Sequence, residues 1–398
     1  MNQNEKIPGA VIRRERLARG IEQKALCRGI CVPSYLSKLE RGAVVPNGEI
    51  LAALYARLGL PRLEPGDQER AAEWVREAYR RTLYGLDASQ AMDAVAGLGE
   101  RAVACSQTAA DWLILRGYQG QDTVSDLAAM ASCLTDEQRR RLELLRWRFD
   151  KGGDPERLRE ACLGLGDSLA LNAWAYACYQ MSDYAAVMRL EDRVTAQALE
   201  EGNTFQLADY CILKGSAYSC LFLEDMMLLY YRRAVNLLQN TGWRDRLDAL
   251  YYNIGATMLN LGRYDEAQRH LDLAAGMAED PLMLHKRALL AIRRGDVARG
   301  RELIEAMRLR LSEAGNARES DWLRAEEAEW ECRPDFLGDR EYLALLDRLL
   351  KALARDYHFG HVSFYQDVYL AACKRRRQYR KALAFQREIS ERSVKIIG

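Results

Sequence analysis

The sequence predicts an all-α protein in two parts: an N-terminal, five-helix-type helix-turn-helix domain, then an α-solenoid built from antiparallel helix pairs. Three observations carry this reading. The 398 residues hold only eight prolines and are rich in Ala, Leu, Arg and Glu, a composition that favours helix nearly throughout. Residues 23–42 read as two short helices joined by a tight turn at Gly29 and stopped at Gly42. A step of 40 residues relates Ala175 to Gly215 to Gly255, and again Val194 to Ala234 to Ala274, which marks a repeat architecture.

The elements follow in order. After a polar start, Pro8-Gly9 precedes a first helix that ends near Gly20. Residues 22–29 and 33–41 form the helix-turn-helix. Leu26, Ile30, Leu36 and Leu39 would face one core, while Ser34, Tyr35, Ser37, Lys38 and Arg41 stay outside. Pro33 suits the first turn of the second helix, where a missing N–H costs nothing. Asn47 is placed to cap a further helix through Leu58, with Ile50, Leu51, Leu54 and Leu58 at helical spacing. Residues 61–67 break the pattern with Pro61, Pro65 and Gly66, and helix resumes over 68–84 with Trp74, Val75, Ala78 and Tyr79 on one face. The resulting partition is 1–60 for the helix-turn-helix domain, 61–85 for a linker and connecting helix, and 86–398 for the repeat body.

Within the body, residues 86–170 look like degenerate repeats, with 151–155 as one helix–helix turn. The clearest unit holds Tyr251 to Gly255, Leu261-Gly262-Arg263-Tyr264, Ala267, Leu271 and Ala274. It resembles the tetratricopeptide (TPR) pattern, in which small residues let two helices approach and a glycine turns between them. A shorter unit follows with Ala288, Ala291, Gly295-Asp296, Gly300 and Met307, and Leu370, Cys373, Tyr379, Ala382 and Ile389 repeat the spacing once more. Such pairs cannot bury their apolar faces alone and stack into a TPR-like solenoid with a groove along its inner helices.

Charge divides unevenly. Residues 1–60 hold ten cations and five anions, a net +5 against +1 for the whole chain, so the remainder is −4. A basic head on a mildly acidic body suits phosphate contact at one end. The tract Lys374 to Arg377 reads as a solvated helix end. Ten cysteines form no CxxC pair, and no histidine lies near Cys27 and Cys31, so neither a disulfide framework nor a metal site is expected. No apolar run approaches the roughly 20 residues of a membrane span, and the first residues lack a signal-peptide core. The expectation is a cytoplasmic protein with reduced thiols and no membrane partner. Catalysis has no visible basis. There is no phosphate loop, zinc-protease helix or nucleophile elbow, and His270, His285, His358 and His361 have no partner at a telling spacing. His358 and His361, three apart, could share a helix face without that implying a metal. The expectation is therefore no enzyme and no cofactor.

Ser37-Lys38-Leu39-Glu40-Arg41-Gly42 followed by Pro46 resembles the end of the recognition helix in the XRE/Cro-like helix-turn-helix family. Gln23 matches that family's phosphate-contacting position, and Arg16 matches the arginine that pairs with the residue at Glu40. The shortened turn Gly29-Ile30-Cys31, with the TPR-like body behind it, resembles the RRNPP group of peptide-pheromone-responsive regulators. Glu15 departs from the family, which usually has an apolar residue there, and Val32 and Pro33 stand where relatives often carry a base-reading polar residue.

The resemblance implies a homodimer on a two-fold, double-stranded DNA operator. Gln23, Lys24, Ser37 and Arg41 would contact phosphates, and Ser34, Tyr35 and Lys38 would read base edges. Tyr35 could equally close the small domain. The resemblance also implies a short signalling peptide in the solenoid groove. Asn253, two before Gly255, could clamp its backbone because a carboxamide both donates and accepts. Asn172 lies one position off the equivalent place. Tyr176, Tyr179, Ser216, Ser219, Tyr252, Ala256 and Leu259 fall at inner-helix positions, although the tyrosines could be core. Lys286 and Arg293 would suit a C-terminal carboxylate. Two alternatives remain open: a body that docks a partner protein, and an interaction scaffold whose head does not bind DNA.

Overall fold

The structure, a computed structural model, describes residues 3–150, 153–221, 223–357 and 359–394. The described residues form α-helices and short 3-10 turns, with no strand among them. The chain divides into two compact units, 1–174 and 175–398.

In the first unit, α1 (Ile7–Ala18), α2 (Gln23–Cys27), α3 (Pro33–Glu40) and α4 (Gly48–Leu58) make the head. Gly20, Gly29 and Gly42 all adopt left-handed backbone, so glycine stops the first three helices as the sequence implies. Asn47 caps α4 by accepting from the Glu49 N–H at 2.8 Å. Next comes α5 (Pro65–Leu83), which begins earlier than the expected residue 68. Pro65 lies in its first turn, where it starts a helix instead of breaking one.

Behind the head lie α6 (Ser89–Leu98), α7 (Glu100–Val103), α8 (Ala109–Tyr118), α9 (Val124–Ala129), α10 (Asp136–Phe149) and α11 (Pro155–Leu165). The expected turn at 151–155 lies partly outside the described residues, since Lys151 and Gly152 are not among them. Ile7, Val11, Leu26, Leu36, Leu39 and Leu54 share one apolar cluster with Leu113, Leu127, Met130, Leu142 and Leu145 of α8 to α10. The head thus buries its core partly against helices far along the chain. The Tyr55 hydroxyl donates to the Cys105 carbonyl in the same core. A second cluster joins Val75 and Ala78 of α5 to Val95, Trp112 and Leu115.

Helix α12 (Ser168–Gln180) spans the division between the units. The second unit continues with α13 (Tyr184–Arg189), α14 (Glu191–Glu200), α15 (Thr204–Cys220), α16 (Glu224–Leu238), α17 (Arg244–Asn260), α18 (Tyr264–Leu273), α19 (Pro281–Arg293) and α20 (Val297–Ala314). It ends with α21 (Glu319–Glu331), α22 (Arg340–Asp356), α23 (Phe359–Ser363), α24 (Gln366–Arg375) and α25 (Tyr379–Val394).

The pairs α15/α16 and α17/α18 are antiparallel units that the 40-residue step foretold, and α19/α20 is the shorter unit expected after them. Their small residues act by contact. A Cβ on Gly215 would lie 2.4 Å from the Tyr231 ring, and one on Gly255 would lie 2.8 Å from Leu271. Gly262 and Gly295 make the left-handed turns within their pairs. One continuous cluster, from Ala208 through Ile254, Leu271 and Ala288 to Ala328, ties these units together.

Candidate nucleic-acid interface and solenoid face

The exposed face of α3 is built from the inside outward. Leu36 and Leu39 are fully buried and set the helix's orientation. Gly9 of α1 lets α3 approach until a Cβ there would stand 2.2 Å from the Leu39 carbonyl oxygen. Arg16, 8% exposed, reaches Glu40, 2% exposed, through two parallel bonds of 2.7 and 2.9 Å. It also donates to the Ile21 carbonyl at 2.8 Å. This fork-to-carboxylate pair pins the end of α3 to the end of α1. Arg57 of α4 donates to the Leu26 carbonyl at 2.9 Å and also to that of Arg28, closing the end of α2.

On that scaffold Ser34, Lys38 and Arg41 are exposed, as are Lys24 and Arg28 on α2 and just after it. Lys24, Arg28 and Lys38 enter no ion pair among the described residues. Ser37 is half-buried, and its carbonyl accepts from Arg41 Nε at 3.2 Å. Tyr35 is half-buried, and its hydroxyl oxygen accepts from the Asn47 N–H at 3.4 Å. Gln23 donates to Glu40 at 2.7 Å, so its carboxamide belongs to the buried pair and faces inward. Val32 is 61% exposed at the start of α3, an apolar side chain where relatives carry a polar one. Glu15 is accommodated by Arg14 and Arg19, each bonded to it. What this face offers chemically is unneutralised cations and hydroxyls on a rigid helix, suited to phosphate and base edges.

The solenoid residues proposed from sequence do not form one set. Asn172 falls in the first unit and is buried. In the second unit Tyr176 is 49% exposed and stacks on Tyr179 at 6.5 Å. Tyr179 is buried, as are Tyr252 and Leu259, which places the last three in the core. Ser216 and Ser219 are half-buried, and Ser216 bonds to the Ile212 carbonyl and to Tyr231. Asn253 and Ala256 are half-buried on α17, and no hydrogen bond engages the Asn253 carboxamide among the described residues. Lys286 is 6% exposed, its Nζ 3.0 Å from the Phe364 ring centroid. Arg293 is bidentate with Glu331 at 3.0 and 2.8 Å.

Around Lys286 lies a buried polar network that the sequence did not reveal. Glu327 accepts from the Tyr342 hydroxyl at 3.0 Å and stands 3.7 Å from His285 Nε2, which is 3.3 Å from the Tyr365 hydroxyl. Arg324, 2% exposed, donates to Asp321 at 3.0 Å and to His361 Nδ1 at 2.7 Å. Burial, with Glu331 beside it, pushes the Glu327 carboxyl well above its usual range. Burial, then the charges of Lys286, Arg324 and Arg293, holds the His285 imidazole well below its usual value. The signal was weak because Arg324, Glu327 and Glu331 sit in an acidic run that reads as a solvated face. A second such group joins Lys214, 3% exposed, and the Tyr230 hydroxyl to Glu191.

His358 lies outside the described residues, so the pairing of His358 with His361 has no structural counterpart. Among the described residues no group of three or more His, Cys, Asp or Glu is placed to hold a metal. No helix is long and apolar enough to cross a membrane, and the ten cysteines are free thiols.

Residues 12–64 match the helix-turn-helix family model HTH_3, the span that holds the Arg16–Glu40 pair and α3. A Rap protein complexed with Competence and Sporulation Factor has a similar fold, with a TM-score of 0.56 and 14% identity over 82% of this chain and 99% of that one. Bacillus thuringiensis PlcR in complex with the peptide PapR7 and DNA gives a TM-score of 0.36 and 14% identity over 77% of this chain and 95% of that one. No curated protein matches the chain in sequence. The fold is an N-terminal XRE-type helix-turn-helix domain followed by a TPR-like solenoid.

Proposed function

We propose that this chain is a cytoplasmic, homodimeric, sequence-specific regulator of transcription whose solenoid binds a short signalling peptide, of the kind used in quorum sensing. The observation that carries the first half is the α3 face, in which unpaired cations and hydroxyls sit on a helix fixed by Arg16 and Glu40. Ser34, Tyr35 and Lys38 would read base edges, and Lys24, Ser37 and Arg41 would take phosphates. Gln23 would do so only by leaving Glu40. The partition 1–60, 61–85 and 86–398 describes DNA binding, connection and peptide binding. In support of the second half, the Rap protein of similar fold is complexed with Competence and Sporulation Factor, and Asn253 offers a disengaged carboxamide at half-buried depth. A peptide can exert control only by binding one arrangement of the heads better than another.

Selection of bound duplexes from a random DNA pool at moderate salt tests the reading. An enriched motif with two-fold symmetry is expected, and no enrichment, with or without extract of the source cells, would refute it. A second reading, that the body docks a partner protein, is favoured by the internal pairing of Arg293 with Glu331 and the capping of Lys286 by Phe364. Both cations are then unavailable to a peptide carboxylate.

A further inference from the structure

We propose that Lys6 and Arg13 form a second line of phosphate contacts on double-stranded DNA, beside α3 and held in place by the loop between α9 and α10. The inference deepens the DNA-binding reading and rests on it. Lys6 caps the start of α1 and Arg13 lies two turns further on, so the two share one face of the helix. That face lies between two neighbours. On one side Gly9 packs on the Leu39 carbonyl and Arg16 bonds Glu40, which seats α3. On the other the Cys133 thiol lies against the Ala10 backbone, within reach of both charges. The end of α3 sits in the same place. A Cβ on Gly42 would stand 2.7 Å from the Cys133 sulfur and 3.6 Å from Cβ and Cδ of Lys6.

The platform is firm. Met130, Cys133 and Leu134 are fully buried in the apolar cluster that also holds α1 and α3. Asn4, in the turn before α1, accepts from Gln138 of α10 at 3.4 Å, and Gln138 is itself buried. The charges on this platform are not neutralised from within. Arg14, Arg16 and Arg19 each bind a carboxylate. Neither the Lys6 ammonium nor the Arg13 guanidinium has an ion pair or a hydrogen bond among the described residues. Both side chains are half-buried, and a guanidinium carries five donors to satisfy. An anion arriving from outside is the acceptor that this face lacks. Phosphate is the anion at hand, because the groove that α3 would enter is walled by two backbones.

The test titrates the full chain with a duplex enriched by selection, from about 50 to 200 mM salt. Lys6→Gln with Arg13→Gln keeps part of each stem and removes both charges. Each phosphate contact adds about 0.9 to the slope of log affinity against log salt, so the double variant should be shallower by about 1.8. Its deficit against the wild type should then be about twelvefold larger at 50 mM than at 200 mM salt. The enriched motif should be unchanged, since phosphate contacts carry no base information. Lys351→Ala, exposed on α22, is the control and should leave the slope as it is. A fall of less than about 1, or one that Lys351→Ala shares, overturns the proposal while the DNA-binding reading stands. If the double variant unfolds early, Lys6→Gln alone should lower the slope by about 0.9, and an unchanged slope overturns the proposal equally. A wild type that binds no duplex at about 50 mM salt removes both readings.

Discussion

Replacing Glu40 by alanine removes the anchor between α3 and α1 and probes how the DNA-facing helix is held. Arg16 and Glu40 are 8% and 2% exposed, and their two bonds of 2.7 and 2.9 Å are those of a bidentate pair. Breaking such a buried pair from one side costs about 3–5 kcal/mol, because the remaining charge is stranded. Here the lower end applies, about 3 kcal/mol, since Arg16 keeps the Ile21 carbonyl at 2.8 Å as an acceptor. Gln23 also loses its partner at 2.7 Å, worth about 1 kcal/mol more if no water replaces it.

Removing both charges with Arg16→Met and Glu40→Leu should recover most of the loss, because the desolvation cost goes with the pair. The assay is a double-mutant cycle read by native-state hydrogen exchange at Leu36 and Leu39 on α3, with DNA affinity followed alongside. A Glu40→Ala loss below about 1 kcal/mol, or strict additivity of the two single changes, would refute the reasoning.

Three further outcomes are expected. Gly255→Ala should cost about 1–3 kcal/mol by overpacking, because its Cβ would stand 2.8 Å from the Leu271 side chain and 3.1 Å from its backbone nitrogen; Gly48→Ala, where a Cβ meets nothing, is the control in thermal unfolding. Arg41→Ala should weaken binding to every duplex and lower the slope of log affinity against log salt by about 1. Lys38→Ala should instead relax base preference, by about 1–3 kcal/mol of discrimination; both are read by titration between about 50 and 200 mM salt. The depressed imidazole of His285 should make the protein acid-sensitive. Above the unfolded value of about 6.5 neither state is protonated there. Below it the unfolded chain takes a proton that the folded chain refuses, and stability falls by about 1.4 kcal/mol per pH unit. His285→Gln should flatten the unfolding midpoint between about pH 6.5 and 5.5, and an unchanged pH profile would exclude this assignment.

Local chemistry carried most of what was legible at the outset. The stops at Gly20, Gly29 and Gly42 and the Asn47 cap involve residues whose backbone preference is strong and short-ranged, whereas the Arg16–Glu40 pair, 24 residues apart, was legible only through the family resemblance. The helix pairs were legible because Gly215 and Gly255 recur at a fixed step, and only a residue without a Cβ permits those approaches. The start of α5 was not, since Pro65 has the same appearance in a linker and in a first helical turn. Gln23 looked like a free phosphate ligand because nothing in its neighbourhood in the chain announces that Glu40, at a distance of one helix, will take its amide.

The sequence by itself determined the helical class, the helix-turn-helix and the repeat, because periodicity and turn residues act within a few positions of themselves. Only the tertiary structure decided that the head's core runs into α8 to α10, that Glu327 and His285 are buried together, and that His361, Phe364 and Tyr365 meet residues of α21, α17 and α19. Burial of a charge and the seat of a connecting segment depend on which surfaces meet, and that is a property of the packed chain, not of any window along it.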